Sequence, residues 1–284
     1  MRSAGSLLNG VMGREWNRGF VETEGEQIYY EAIGDGPAIV LGHGAGGNHA
    51  SWFQQVLPLS ERCTTVTWDQ RGFGRSTNHG QAAGPQAAAR DLIALLDHLE
   101  LADAHLAGQS LGGWAVLGAA LDHPSRARSI VLTDTVAGIY TPLVEQRFDA
   151  FLEGMYAAAG APLTVGQPGA LGWHARASEP QLAFLYQQIG SIGGQGPADA
   201  IPQIRAFALP HDTLGALACP ALFVVGDADP VFPPDAVRDA AARLPGARVA
   251  VIDRAGHSAH YEQAETWNRL VLDFLSEADD AQRA

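Results

Sequence analysis

The chain has 284 residues, 46% of them apolar, and a formal net charge of −13; this is enough material to fill the core of one large domain. The acidic balance repels nucleic acid and anionic membrane surfaces, and no run of about 18 apolar residues offers a bilayer span. A small, mostly uncharged molecule is therefore the expected partner, while oligomeric state is not readable from composition.

Residues 1–19 read as an extension ahead of the domain. Met1 to Gly13 carry a broken apolar patch without a cleavage site, so no export signal is expected and the chain is assigned to the cytoplasm. Phe20–Glu24 and Gln27–Ile33 flank Gly25 and Glu26 as an antiparallel hairpin. Short β-rich runs follow at Ala38–Leu41, Thr64–Trp68, His105–Ala107, Ser129–Thr133, Ala221–Val225 and Arg248–Ile252. Helical patterns at His49–Leu57, Gln86–Leu99, Ser110–Asp122, Pro234–Leu244 and His260–Leu275 separate most of them. Such alternation predicts an α/β domain with a mainly parallel sheet flanked by helices.

The rhythm stops between Asp134 and Leu217, where alanine, glycine, glutamine and proline accumulate. This predicts a helical cap over 137–213, inserted between core segments 20–136 and 214–276. Phe148, Phe151, Leu152, Met155 and Tyr156 recur at helical spacing, and Leu182, Phe184, Leu185, Tyr186 and Ile189 do so more loosely. Most of these are expected to pack the cap on the core, a minority to line a pocket. Ser191 to Pro197 reads as a loop. Residues 277–284 are acidic with no apolar period, and a frayed end is expected.

Gly108-Gln109-Ser110-Leu111-Gly112 follows a strand-like run and opens a helical one. A serine at the tip of such a turn stands clear of the sheet, and the flanking glycines keep side chains out of the crowded bend. A hydroxyl is a poor nucleophile until a neutral imidazole takes its proton, and that imidazole needs a carboxylate to fix its tautomer. His257, in Ala255-Gly256-His257-Ser258, lies after the last strand-like run. Gly226-Asp227-Ala228-Asp229-Pro230 follows the preceding strand and offers two acids. The chain order serine, acid, histidine is the order of the α/β-hydrolases.

With His43-Gly44-Ala45-Gly46-Gly47 and Asp69-Gln70-Arg71-Gly72-Phe73-Gly74-Arg75-Ser76, four motifs together make the chain from about Phe20 to Leu275 resemble the α/β-hydrolase family. The resemblance implies the α/β-hydrolase fold with Ser110 as nucleophile, His257 as general base and then acid, and Asp229 as the orienting carboxylate, ahead of Asp227. It implies backbone donors to a developing oxyanion at Ala45 and Leu111, a bracing role for His43, and a buttressing role for the loop from Asp69 to Ser76. His260 stands second to His257 as the base. Trp114, Trp52, Trp173 and Phe207 are candidates for an apolar pocket.

The remaining histidines lack ligand-spaced carboxylates or cysteines, so no metal and no cofactor are expected; Cys63 and Cys219 read as reduced core thiols. The expected activity is cleavage of an ester, lactone or similar acyl bond through an acyl-enzyme. Members nearest in motif style resemble enol-lactone hydrolases and hydrolases of ring-cleavage products, the latter breaking a carbon–carbon bond. A non-catalytic ligand receptor on the same fold is the reading of a different class.

Overall fold

The computed structural model describes residues 15–157, 170–192, 194 and 197–283. Eight strands form one sheet: β1 (Trp16–Thr23), β2 (Glu26–Ile33), β3 (Ala38–Gly42), β4 (Thr64–Trp68), β5 (Ala104–Gln109), β6 (Ala127–Thr133), β7 (Ala221–Gly226) and β8 (Arg248–Ile252), in the spatial order β1-β2-β4-β3-β5-β6-β7-β8. β2 runs antiparallel to both of its neighbours, β1 and β4; every pair from β4 to β8 is parallel. The sheet is thus mainly parallel, and the central strands β3, β5 and β7 are buried along their whole length, as strands covered on both faces must be.

The helices are α1 (Phe53–Ser60), α2 (Pro85–His98), α3 (Leu111–Asp122), α4 (Pro142–Ala157), α5 (Trp173–Ser178), α6 (Pro180–Ser191), α7 (Pro197–Ala206), α8 (Pro234–Ala241), α9 (Ala259–Glu262) and α10 (Ala264–Arg283). Successive strand residues point to opposite faces, and the core divides accordingly. Val40, Leu106, Ile130, Leu132 and Phe223 pack with α2, α3 and α8. Ile39, Leu41, Ala107, Val131 and Leu222 pack with Leu59 of α1 and with Trp267, Val271 and Phe274 of α10. No helix among the described residues is long and apolar enough to cross a membrane.

Four helices, α4 to α7, fill the interval between β6 and β7 where strand-helix alternation is absent from the sequence. Phe148, Leu152, Ile201 and Ile204 attach this cover to the same core group as α3. The side chain of Tyr156 and part of the Ser191–Pro197 stretch lie outside the described residues.

Three sequence expectations are corrected. β1 begins at Trp16, so the last residues of the expected extension already belong to the sheet; residues 1–14 lie outside the described set. The expected frayed end is helical, because α10 continues to Arg283. Ala278 and Asp279 are buried, and Arg128 of β6 donates to the Asp279 carboxylate from Nε at 3.1 Å and Nη2 at 2.7 Å. A small side chain and one ion pair anchor this turn, neither of which leaves an apolar period. The single helix expected over His260–Leu275 is two, interrupted at Gln263.

Candidate active site

Every candidate polar group stands at the carboxyl edge of the sheet, where an open α/β sheet binds its ligands. His43 follows β3, Ser110 follows β5, Asp227 and Asp229 follow β7, and His257 follows β8.

Ser110 links β5 to α3 with φ 47° and ψ −118°, a conformation costly for any residue with a Cβ and sustained only by the structure around it. The glycines explain how. A Cβ on Gly112 would lie 2.3 Å from the carbonyl oxygen of Gly42, and one on Gly108 would lie 2.3 Å from that of Gly112. The elbow therefore packs backbone on backbone. Thr135 Oγ1 donates to the Ser110 carbonyl at 2.9 Å and fixes the far side of the turn.

Ser110 Oγ lies 2.9 Å from His257 Nε2. His257 Nδ1 lies 2.9 Å and 3.0 Å from the two Asp229 oxygens. Asp229 Oδ1 also accepts from the backbone N–H groups of Val231 at 2.7 Å and Phe232 at 3.1 Å, so the carboxylate is held from two sides. All three side chains are buried. Asp227 faces elsewhere: its Oδ1 accepts from the Ala255 N–H at 3.2 Å and supports the histidine loop from below. The structure thus joins Ser110, His257 and Asp229, and leaves Asp227 out.

His43 is fully buried; its Nδ1 donates to the Gly44 carbonyl at 2.8 Å and its Nε2 accepts from the Gln70 N–H at 3.0 Å. Gln70 Nε2 donates in turn to the His43 carbonyl. The imidazole pins the turn carrying Ala45 to the start of the Asp69–Ser76 loop. Charges in that loop are paired locally: Arg71 donates to Asp91 at 2.6 Å and to Glu24 at 3.0 Å, and Asp69 accepts from the N–H groups of His49 and Arg75. Burial pushes the Cys63 and Cys219 thiols up to about 11, which leaves them protonated.

Ser110 and His257 open on a cavity of about 600 Å³. One wall is apolar, built from Phe148, Phe151 and Met155 of α4, Ile201 and Ile204 of α7, and Val231 and Phe232 after β7. Gly44, Ala45, Gly46 and Gly47 form the rim beside Ser110. Leu111 is the first residue of α3, and an amide there has no acceptor within the helix. No lysine, arginine, aspartate or glutamate is among the described lining residues.

None of the four aromatic pocket candidates lines this cavity. Trp114 is fully buried and donates from Nε1 to the Phe207 carbonyl at 3.2 Å, so these two residues tie α3 to the cover behind the site. Trp52 packs between His260 and Trp267 on the other face of the sheet. Trp173 is 63% exposed on α5. His260, the second choice as base, lies in α9 and makes no hydrogen bond to Ser110.

Three supporting residues escape a sequence reading. Gln109 Nε2 donates to the His257 carbonyl at 2.7 Å, coupling the elbow to the histidine loop. Asp134, directly after β6, accepts from the N–H groups of Gly226 at 2.9 Å and Ala259 at 2.7 Å, and burial together with the nearby Asp229 charge raises its carboxyl well above the ordinary range. Glu262 accepts from Gly256 N–H at 2.8 Å and Gly172 N–H at 2.9 Å; burial pushes its carboxyl up to about 7. Asp134 stands at a strand end, the one available signal; Glu262 and Gln109 carry none.

Comparison with known proteins agrees with this architecture. The family model described as the alpha/beta hydrolase fold matches residues 37–264. A protein of Caulobacter sp. (strain K31) named RutD, assigned as a carbamate hydrolase, is 30% identical over 261 residues, 88% of this chain and 96% of that protein. A thermophilic esterase from Thermogutta terrifontis superposes with a TM-score of 0.77 at 26% identity, over 92% of this chain and 99% of that one. The enol-lactonase from Burkholderia xenovorans LB400 gives 0.75 at 27% identity, over 91% and 100%. Fold, elbow and family match converge, and the chain belongs to the α/β-hydrolase fold family.

Proposed function

We propose that the protein is a serine hydrolase that cleaves an ester, lactone or similar acyl bond of a small, mostly uncharged molecule through an acyl-enzyme. The observation that carries the reading is the continuous relay from Ser110 Oγ through His257 to Asp229, opening on a largely apolar cavity.

In this reading His257 Nε2 takes the Ser110 proton as Oγ attacks the acyl carbon. The carbonyl electron pair moves onto oxygen, where the Ala45 and Leu111 amides stabilise it; one such donor is worth roughly 3 to 4 kcal/mol where it has been removed by mutation. The imidazolium then protonates the leaving group as the acyl bond breaks. Water, deprotonated by the same imidazole, attacks the acyl carbon; the bond to Ser110 Oγ breaks, Oγ takes the proton back from His257 Nε2, and the acid product leaves. Asp229 stays ionised and holds the ring in the tautomer with the proton on Nδ1. Ester, lactone and carbamate, the bonds named for the relatives, all present an acyl carbon to this sequence of steps. A wall whose described residues include no lysine, arginine, aspartate or glutamate suits an uncharged substrate.

The test is a panel of short-chain chromogenic esters beside fluorophosphonate labelling mapped by mass spectrometry. Label on Ser110, with turnover reduced on the order of 10⁶-fold in Ser110→Ala, is the expected result. Turnover undiminished in that variant removes Ser110 from the chemistry; labelling without turnover of any ester favours a receptor.

A further inference from the structure

His260 lines the cavity, yet its side chain is 2% exposed. Among the described residues neither ring nitrogen has a hydrogen-bond partner. Its ring lies 4.2 Å from that of Trp52 and 6.4 Å from that of Trp267. A buried polar atom left unpaired costs about 1 to 3 kcal/mol, so native proteins keep such atoms for a water or a ligand. Other polar groups on the same side of the cavity are already satisfied, Tyr186 Oη and Ser258 Oγ pairing at 3.0 Å.

Burial, reinforced by the neighbouring His257 ring, pushes the His260 imidazole down to about 3. The ring is therefore neutral at ordinary pH and offers one N–H donor and one acceptor. Beside it, Trp52 Nε1 and Gln55 Oε1 are also buried without a partner, and Gln55 Nε2 donates to the His260 carbonyl at 2.8 Å. The Phe148, Phe151 and Phe232 wall belongs to the core group on the opposite face of the sheet and offers nothing of the kind. With no lysine, arginine, aspartate or glutamate among the described lining residues, neither an anion nor a cation finds a fixed counter-charge there.

We propose that His260 is a specificity-determining residue that hydrogen-bonds a neutral donor–acceptor group of the substrate, such as a carboxamide, at the end of the cavity away from the phenylalanine wall. The inference rests on the hydrolase reading above for its role in turnover, though not for the binding itself.

Two matched ester pairs test it, one carrying the group on the acyl chain and one on the alcohol. In each pair one ester ends in a primary carboxamide and the other in an isopropyl group of the same shape. In His260→Phe the carboxamide-to-isopropyl ratio of kcat/KM falls at least tenfold in one pair, about 1.4 kcal/mol, and His260→Gln, which keeps a donor and an acceptor, recovers most of the ratio. A ratio unchanged in both pairs, including one where both esters slow alike, overturns the proposal. A calorimetric titration of the unsubstituted protein needs no turnover: hexanamide binds several-fold more tightly than its methyl-ketone isostere, and equal affinity overturns the proposal. A protein that hydrolyses no ester but prefers the amide refutes the hydrolase reading and leaves the recognition by His260 standing.

Discussion

The turn around Ser110 and the cover of α4 to α7 face each other across the cavity and are built on opposite principles. Around Ser110 nearly every residue of α3 is buried, and added atoms at Gly108, Gly112 or Gly113 would come within 3 Å of a neighbour. In the cover, Phe184, Leu185 and Trp173 are exposed, and a Cβ on Gly154 would meet nothing within 4 Å among the described residues. An over-determined turn is what the proposed chemistry requires, since reacting atoms must be held to a fraction of an ångström. The cover needs only to present an apolar wall, which many side chains can do.

The largest expected effect separates chemistry from support at the sheet edge. Asp229→Asn leaves the shape intact but presents the wrong group to His257 Nδ1, and kcat falls on the order of 10⁴-fold. Asp227→Asn, at a residue whose oxygen accepts from the Ala255 amide and, among the described residues, makes no hydrogen bond to His257 or Ser110, lowers kcat by less than about fivefold. Comparable losses in both variants would mean that Asp229 is not the orienting acid.

Gly112→Ala challenges the tight side of the comparison directly. The new methyl would sit 2.3 Å from the Gly42 carbonyl and 2.8 Å from that of His43, so β3 and α3 must separate at the point where the elbow is formed. A loss of about 3 kcal/mol or more in urea unfolding is expected, with turnover falling alongside it because Ser110 moves. A variant of ordinary stability would show that the turn is looser than its contacts indicate.

The same contrast governs what the sequence reveals. The elbow is legible because its constraint is local: two glycines, a serine and the flanking periodicities lie within a few residues. Strand ends are legible for a similar reason, and they lead to Asp229 and His257. The pocket is not. Trp114 stands one helical turn past Ser110, but that spacing gives distance along the axis and not direction, and its indole turns into the core toward Phe207. Phe148, Phe151 and Met155 do carry a readable stripe, whereas Ile201 and Ile204, which complete the wall, come from a helix with no such signal. The helical end at Arg283 stayed hidden because it is held by Arg128, 151 residues away from Asp279 in the chain.

Where tight and loose regions join, pH is the lever. Glu262 accepts one amide from the histidine loop and one from Gly172 at the edge of the cover. Its carboxyl is raised from the ordinary 4.5 to about 7. Below about pH 4.5 the folded and unfolded chains both hold the proton and burial carries no charge; above about pH 7 both are ionised, and the buried carboxylate costs roughly 3 kcal/mol. Stability therefore declines as pH rises across that window, with the raised Asp134 carboxyl acting in the same sense. Urea midpoints measured from pH 5 to 8 should fall less steeply in Glu262→Gln, which is also the weaker protein at pH 5 because its amide nitrogen faces a backbone N–H. An identical slope in both proteins would place the pH response elsewhere.

The smallest effect tests the loose side. Gly154 lies in the last turns of α4, exposed, beside the cavity-lining Met155. Glycine in a helix costs about 0.5 to 1 kcal/mol relative to alanine, because more backbone freedom is lost on folding. With open space around it, Gly154→Ala gains that amount, raises the thermal midpoint by about 1 to 4 °C and leaves kcat/KM where it was. The same methyl group therefore stabilises the cover and disrupts the elbow. A loss of stability in Gly154→Ala would mean that α4 is packed as tightly as α3, and the division of labour between the two sides of the cavity would fail.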